Sequence, residues 1–148
     1  AASDVYKRQA LLAAFIPIIS GMSGNSGTQS LAVSVRNIST GDIDEQSKFK
    51  VALREAGSGL LSGIVCSIIL IIIIISIYRQ PLLAVIVGGS LTCAMTVGTL
   101  VGSMIPLLMN KLKIDPAVAS GPFITTINDI VSMLIYFGLA TSFMSYLT

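Results

Sequence analysis

The sequence predicts an all-α fold, a polytopic membrane helical bundle with four transmembrane helices visible in 148 residues. Three observations carry that prediction. Only 11% of the residues are charged, where soluble domains carry about a quarter. Hydrophobic residues make up 53%, and mean hydropathy is +0.88. The apolar residues are also gathered into long runs instead of being spread along the chain. Roughly 20 apolar residues rising 1.5 Å each cross a bilayer core. Within lipid such a run must satisfy its own backbone hydrogen bonds, and it does so as a helix.

Residues 1–9 are polar and join no apolar period. The string Ser3-Asp4-Val5-Tyr6-Lys7-Arg8-Gln9 resembles a translated sequencing-adapter scar, so residues 1–9 are expected to be non-native and are set aside from fold reasoning. The alternative is a short native juxtamembrane stretch. Apolar segments follow at residues 10–35, 56–78, 82–109 and 116–147. The first is interrupted by Gly21-Met22-Ser23-Gly24-Asn25-Ser26-Gly27, and the second holds an uninterrupted isoleucine-rich block at residues 68–75. β-Branched isoleucine is a poor helix former in water, but lipid leaves it no other choice. Pro106 is expected to kink the third segment and Pro116 to start the fourth helix.

Between the first two segments, residues 36–55 hold half the charges of the chain, Arg36, Asp42, Asp44, Glu45, Lys48, Lys50, Arg54 and Glu55. Thr40-Gly41-Asp42 reads as a turn, and residues 46–54 as a short polar-faced helix lying along the membrane surface. This loop carries four Lys or Arg, residues 111–115 carry two, and the linker at residues 79–81 only Arg79. The positive-inside rule places the first two on the cytoplasmic side and Arg79 outside. The start of the first segment then also lies outside, which implies a further helix upstream and a chain that is part of a longer protein. Lys7 and Arg8 oppose this orientation, as foreign residues would.

Several function classes fall away on composition. Histidine and tryptophan are absent, which removes His-based metal sites, Ser/His/Asp and Cys/His nucleophiles and most general-base chemistry near neutral pH. A formal net charge of +2 without a basic stripe argues against nucleic acid as a partner. Cys66 and Cys93 sit alone in apolar runs and read as small buried hydrophobes. With no phosphate-cradling loop either, an enzyme is not expected.

Two features can carry chemistry. Asp129 is the only charge deep within an apolar segment. A charge at mid-membrane costs at least about 2.5–3.5 kcal/mol, and such acids mark ion or proton pathways unless they are pinned structurally by hydroxyls of a neighbouring helix. Helical spacing places Thr125 at i−4, Ser132 at i+3 and Tyr136 at i+7 on the same stripe. No Lys, Arg or His lies at that depth, so a transported cation is the natural counter-charge, with a proton relay as the other reading. The second feature is the run Gly21 to Ser30, with Gly24, Asn25, Gly27 and Thr28 as candidates to line an ion path. Glycines there either loosen the backbone and expose hard carbonyl ligands for a cation such as Mg²⁺, or form a face of small residues for close helix packing. The pairs Gly59/Gly63 and Gly98/Gly102 read as packing motifs, and Thr92, Thr96 and Thr99 as interhelical hydrogen-bond donors.

Gly24-Asn25-Ser26-Gly27-Thr28-Gln29-Ser30, with Arg36 and Gly41-Asp42 after it, resembles the second transmembrane helix of MgtE-type magnesium channels. Asp115-Pro116-Ala117, then Pro122, Thr125-Thr126-Ile127-Asn128-Asp129 and Leu134-Ile135-Tyr136-Phe137, resembles the fifth helix of that family. Two positions depart from some members: Gly121 and Thr28 stand where those carry asparagine. The resemblance implies a homodimer of five membrane helices per subunit in the cell membrane, the first helix and the cytosolic regulatory domains lying outside this chain. It also implies a pore on the dimer axis lined by those two helices, with hydrated Mg²⁺ held at Asp129. The physics agrees, because Mg²⁺ keeps several waters and takes one or two carboxylates. One Asp129 per chain, doubled by a two-fold axis, supplies that number, and the two carboxylates repel unless a cation sits between them. The expected function is therefore passive Mg²⁺ uptake through a channel pore domain. The alternatives are a proton- or Na⁺-coupled carrier and a purely structural membrane-assembly module.

Overall fold

A computed structural model describes residues 2–41, 45–143 and 146, and among them the chain is helical with no strand. The elements are α1 (Ala2–Ala14), α2 (Ile16–Ser39), α3 (Glu45–Tyr78), α4 (Pro81–Lys111), a 3-10 turn at Pro116–Val118, and α5 (Gly121–Ser142). Four stretches are long and apolar enough to cross a membrane, and α1 runs into α2 to make the first of them. Residues 2–9, set apart by composition, belong to α1.

The break between α1 and α2 falls at Phe15, two residues before Pro17. Proline lacks the N–H that would bond the carbonyl a turn back, and its ring crowds that carbonyl. The Phe15 amide turns instead to the Leu12 carbonyl three residues back, and the Ile19 amide restarts the ladder on Phe15. Beyond that point α2 passes unbroken through the glycine-rich run. Of the two readings of this run, the structure shows close packing rather than loosened backbone. A Cβ on Gly27 would run into the Asn128 amide, and one on Gly102 into the Gly27 carbonyl.

At the end of α2, Gly41 takes φ +71°, a left-handed conformation natural to glycine, and its amide bonds the Ile38 carbonyl. Asp42, the third residue of the expected turn, lies outside the described residues, as does Asp44. The separate surface helix expected at residues 46–54 does not exist: these residues form the first turns of α3, a single helix of 34 residues. At 1.5 Å per residue it is about 51 Å long, longer than the hydrocarbon layer.

α4 is the central helix, packed against α2, α3 and α5. Glycines set how close its neighbours come. An added Cβ on Gly63 would lie 3.0 Å from Thr92 Cα, and one on Gly98 would lie 2.7 Å from the Ser23 carbonyl oxygen. The Ser67 hydroxyl donates to the Gly88 carbonyl at 2.7 Å, tying α3 to α4. Pro106 is buried inside α4, which continues past it to Lys111. The start expected at Pro116 is instead the 3-10 turn, capped by the Asp115 carboxylate accepting from the Ala117 amide at 3.0 Å. α5 begins five residues later, with Pro122 in its first turn.

The core gathers Phe15, Ile19, Ile74, Leu83, Val87, Leu91 and Tyr136. Outside it, α3 exposes Ile68, Ile69, Ile72 and Ile73, a face that only lipid solvates cheaply. Buried Tyr136 donates its hydroxyl to the Leu12 carbonyl at 2.6 Å, joining α5 to α1. Tyr136→Phe removes that bond and little volume. The expected cost is about 1 kcal/mol, read as a lowered thermal midpoint of the purified protein with its helicity unchanged.

Candidate functional site

α2 and α5 run antiparallel, and their register brings the singled-out residues onto one face. The Asp129 carboxylate accepts a hydrogen bond from the Ser20 hydroxyl. One turn further, a Cβ on Gly24 would lie 3.4 Å from Thr125 Cγ2, and another turn on, a Cβ on Gly121 would lie 3.8 Å from Thr28 Cγ2. Steps of four along α2 (Ser20, Gly24, Thr28) thus meet steps of four along α5 (Asp129, Thr125, Gly121). Residues four apart share a helix face, so the match holds over two turns.

Asp129, Asn25 and Thr126 are exposed along this seam, Thr28 and Thr125 are half-buried, and Gly24 and Gly27 are buried. The threonine hydroxyls are turned to nearby carbonyls: Thr28 to Asn25 at 2.9 Å, Thr125 and Thr126 to Pro122 at 3.0 and 2.8 Å. Their lone pairs stay available to a ligand or its water. With Asp129 and the Asn25 amide, the face presents one carboxylate among neutral hard oxygens. No group of three or more His, Cys, Asp or Glu forms among the described residues. One copy of this face therefore offers a single charged ligand.

Ser132 and Tyr136 do not join it. They belong to the buried stripe Ile124, Asn128, Ser132, Tyr136 and Ala140, which turns into the bundle. The Ser132 hydroxyl bonds the backbone carbonyl of Asp129 at 3.0 Å, not its carboxylate. Each four-residue step overshoots a full turn by about 40°, so the stripe drifts around α5 and leaves Asp129 at its edge. Angular spacing alone says which residues neighbour one another, not which sector other helices cover.

Asn128, which the sequence marks only as part of a motif and not as a candidate residue, has a role of its own. It is fully buried, and its Nδ2 donates to the Ser23 carbonyl at 3.3 Å while Oδ1 has no partner among the described residues. The Ser23 hydroxyl in turn donates to the Ala94 carbonyl of α4 at 2.9 Å. Ser23 and Asn128 thereby bind three helices directly behind the Asp129 face, and Gly27 is small because Asn128 lies against it. The signal was there: a polar amide beside the aspartate in an otherwise apolar segment.

Comparison with known proteins gives a consistent set. The profile of the MgtE family, described as divalent cation transporter, matches residues 16–139. The chain is 45% identical to the magnesium transporter MgtE of Bacillus subtilis over 140 residues, 95% of this chain and 31% of that protein. It is 47% identical over 137 residues to the protein of the same name from Enterococcus faecalis, covering 92% of this chain and 30% of that protein. The Thermus thermophilus protein of that name is 37% identical over 131 residues, covering 87% and 28%. The chain spans less than a third of the length of these curated relatives.

Proposed function

Because this chain belongs to the MgtE family of divalent cation transporters, we propose that its α2–α5 face is one wall of a Mg²⁺ path through the cell membrane. The single observation that carries the reading is Asp129, a carboxylate exposed at the edge of a membrane-spanning helix and bonded to Ser20. Lipid cannot cover Asp129, Asn25 and Thr126 without a cost of several kcal/mol. A second copy of the chain, facing the first across a two-fold axis, removes that cost and closes the path.

Two Asp129 carboxylates across such an axis hold a divalent ion that keeps most of its water, in keeping with the reluctance of Mg²⁺ to dehydrate. Asn25 and the threonines below hydrogen-bond that water and pass the ion along by exchange of weak contacts. The path runs from Asp129 through the level of Thr125 and Asn25 to Thr28, toward the side on which Lys111 and Lys113 lie. Flux follows the Mg²⁺ gradient and the membrane potential. Transport, not catalysis, is the role of these residues.

Cysteine accessibility tests the wall. In protein lacking Cys66 and Cys93, Asn25→Cys should react with a water-soluble thiol reagent, lose uptake on modification, and be protected by Mg²⁺. Ser132→Cys, at a position only 1% exposed, should stay unreactive. An inert Asn25→Cys beside a reactive Ser132→Cys would overturn the assignment of faces.

A further inference from the structure

Charge density places Glu55 in a loop, and the structure puts it elsewhere. It lies in the third turn of α3, half-buried, and its Oε2 accepts from the Ser30 hydroxyl of α2 at 2.6 Å. Around it is a cavity of about 160 Å³ walled by α2, α3 and α4. The cavity exists because α2 and α3 both pack on α4 and scarcely on each other. Its polar lining comes from Ser26, Gln29, Ser30, Glu55, Ser58, Ser62 and Thr99, with no Lys or Arg among the lining residues. These groups surround one carboxylate with hydroxyl and amide oxygens.

We propose that this cavity is a cation site, separate from the Asp129 face, which binds a hard cation through Glu55 and the surrounding hydroxyl and amide oxygens. A half-buried carboxylate with one neutral hydrogen bond among the described residues is under-compensated, and a serine does not neutralise it. Hard oxygen donors with one negative charge suit a small cation that retains part of its water, Mg²⁺ or Na⁺. Water in the cavity serves as the rest of its shell. Ser30 lies ten residues beyond Ser20 on α2, about 15 Å along the helix, so the Asp129 carboxylate is out of contact with an ion here. The site stands whether or not Asp129 carries the transported ion.

The test is calorimetric titration of the purified full chain with Mg²⁺ alone and with Na⁺ alone, in an Asp129→Asn background. Asp129→Asn should retain one saturable binding event per chain for one of the two cations, and the two titrations say which. Adding Glu55→Gln should weaken that event by about tenfold or more, as loss of a ligand or of its close support does. The glutamine still accepts from Ser30, so helix contact is kept and only charge is lost. Thr99→Val, which leaves Glu55 in place, should weaken binding by a smaller factor and serves as the second probe if Glu55→Gln does not fold. Saturable binding that neither substitution changes, or no binding of either cation to Asp129→Asn protein, would overturn the proposal and leave Glu55 as a hydrogen-bond anchor between α2 and α3.

Discussion

Gly102→Val should abolish a stable bundle, whereas Gly89→Ala on the same helix should be harmless. A Cβ at Gly102 would run into the carbonyl oxygen of Gly27 and lie 2.8 Å from its carbonyl carbon and 3.0 Å from its Cα. All three atoms are backbone of α2, so no side-chain rotation relieves the clash, and the helix itself must move away. Overpacking a core usually costs about 1–3 kcal/mol. The cost here belongs at or above the top of that range, because the same shift pulls Ser23 from Ala94 and Asn128 and moves Ser20 off Asp129. At Gly89 an added Cβ meets nothing within 4 Å, and the better helix propensity of alanine favours the fold by up to about 1 kcal/mol. Thermal unfolding monitored by circular dichroism, with size-exclusion of the solubilised protein, separates the two. Equal midpoints for both variants would mean that α2 does not sit against α4 at this distance.

The second large effect falls on transport. Asp129→Asn keeps the shape of the side chain and its ability to accept from Ser20, so the fold should be retained. What it removes is the charge, once in each of the two copies that the proposed path requires. A charge-assisted hydrogen bond to ion-bound water is worth about 1.5–3 kcal/mol, so losing two lowers occupancy by about 100-fold or more. Asp129→Glu keeps the charge but lengthens the arm by one methylene, and should retain part of the uptake. A Glu variant as inactive as the Asn variant would point to geometry rather than charge as the decisive property.

The helices were legible because lipid enforces them. Runs such as residues 68–75 have no other way to satisfy their backbone, so hydropathy alone located both ends of α4 and the end of α3 to within two residues, whereas α3 starts eleven residues before its expected segment and α5 five residues after. The glycine run left two readings open for a physical reason. Glycine and serine at close spacing serve a loosened backbone and a tight helix contact equally well. Only the partner decides, and the partner is Gly98, Gly102 and Asn128, far away in sequence. Glu55 did mislead: charge density marks the end of a span, but it does not say that the helix starts ten residues earlier and carries the carboxylate inward. At the Asp129 face, the match of Ser20, Gly24 and Thr28 to Asp129, Thr125 and Gly121 needed the register of two helices, which no single-segment periodicity contains. Ser132 was misplaced because its covered sector is set by α2 and α4, not by α5 itself.

The most direct test of the account is Mg²⁺ uptake into proteoliposomes loaded with a Mg²⁺-sensitive dye, for wild-type and Asp129→Asn protein, first with no proton or Na⁺ gradient and then with one imposed. Wild-type uptake should follow the Mg²⁺ gradient alone, be indifferent to the added gradients, and collapse in Asp129→Asn with the assembly intact. Equal uptake by both proteins would take the ion site away from Asp129. Wild-type uptake that begins only when a proton or Na⁺ gradient is applied would contradict the passive path and establish a coupled carrier in its place.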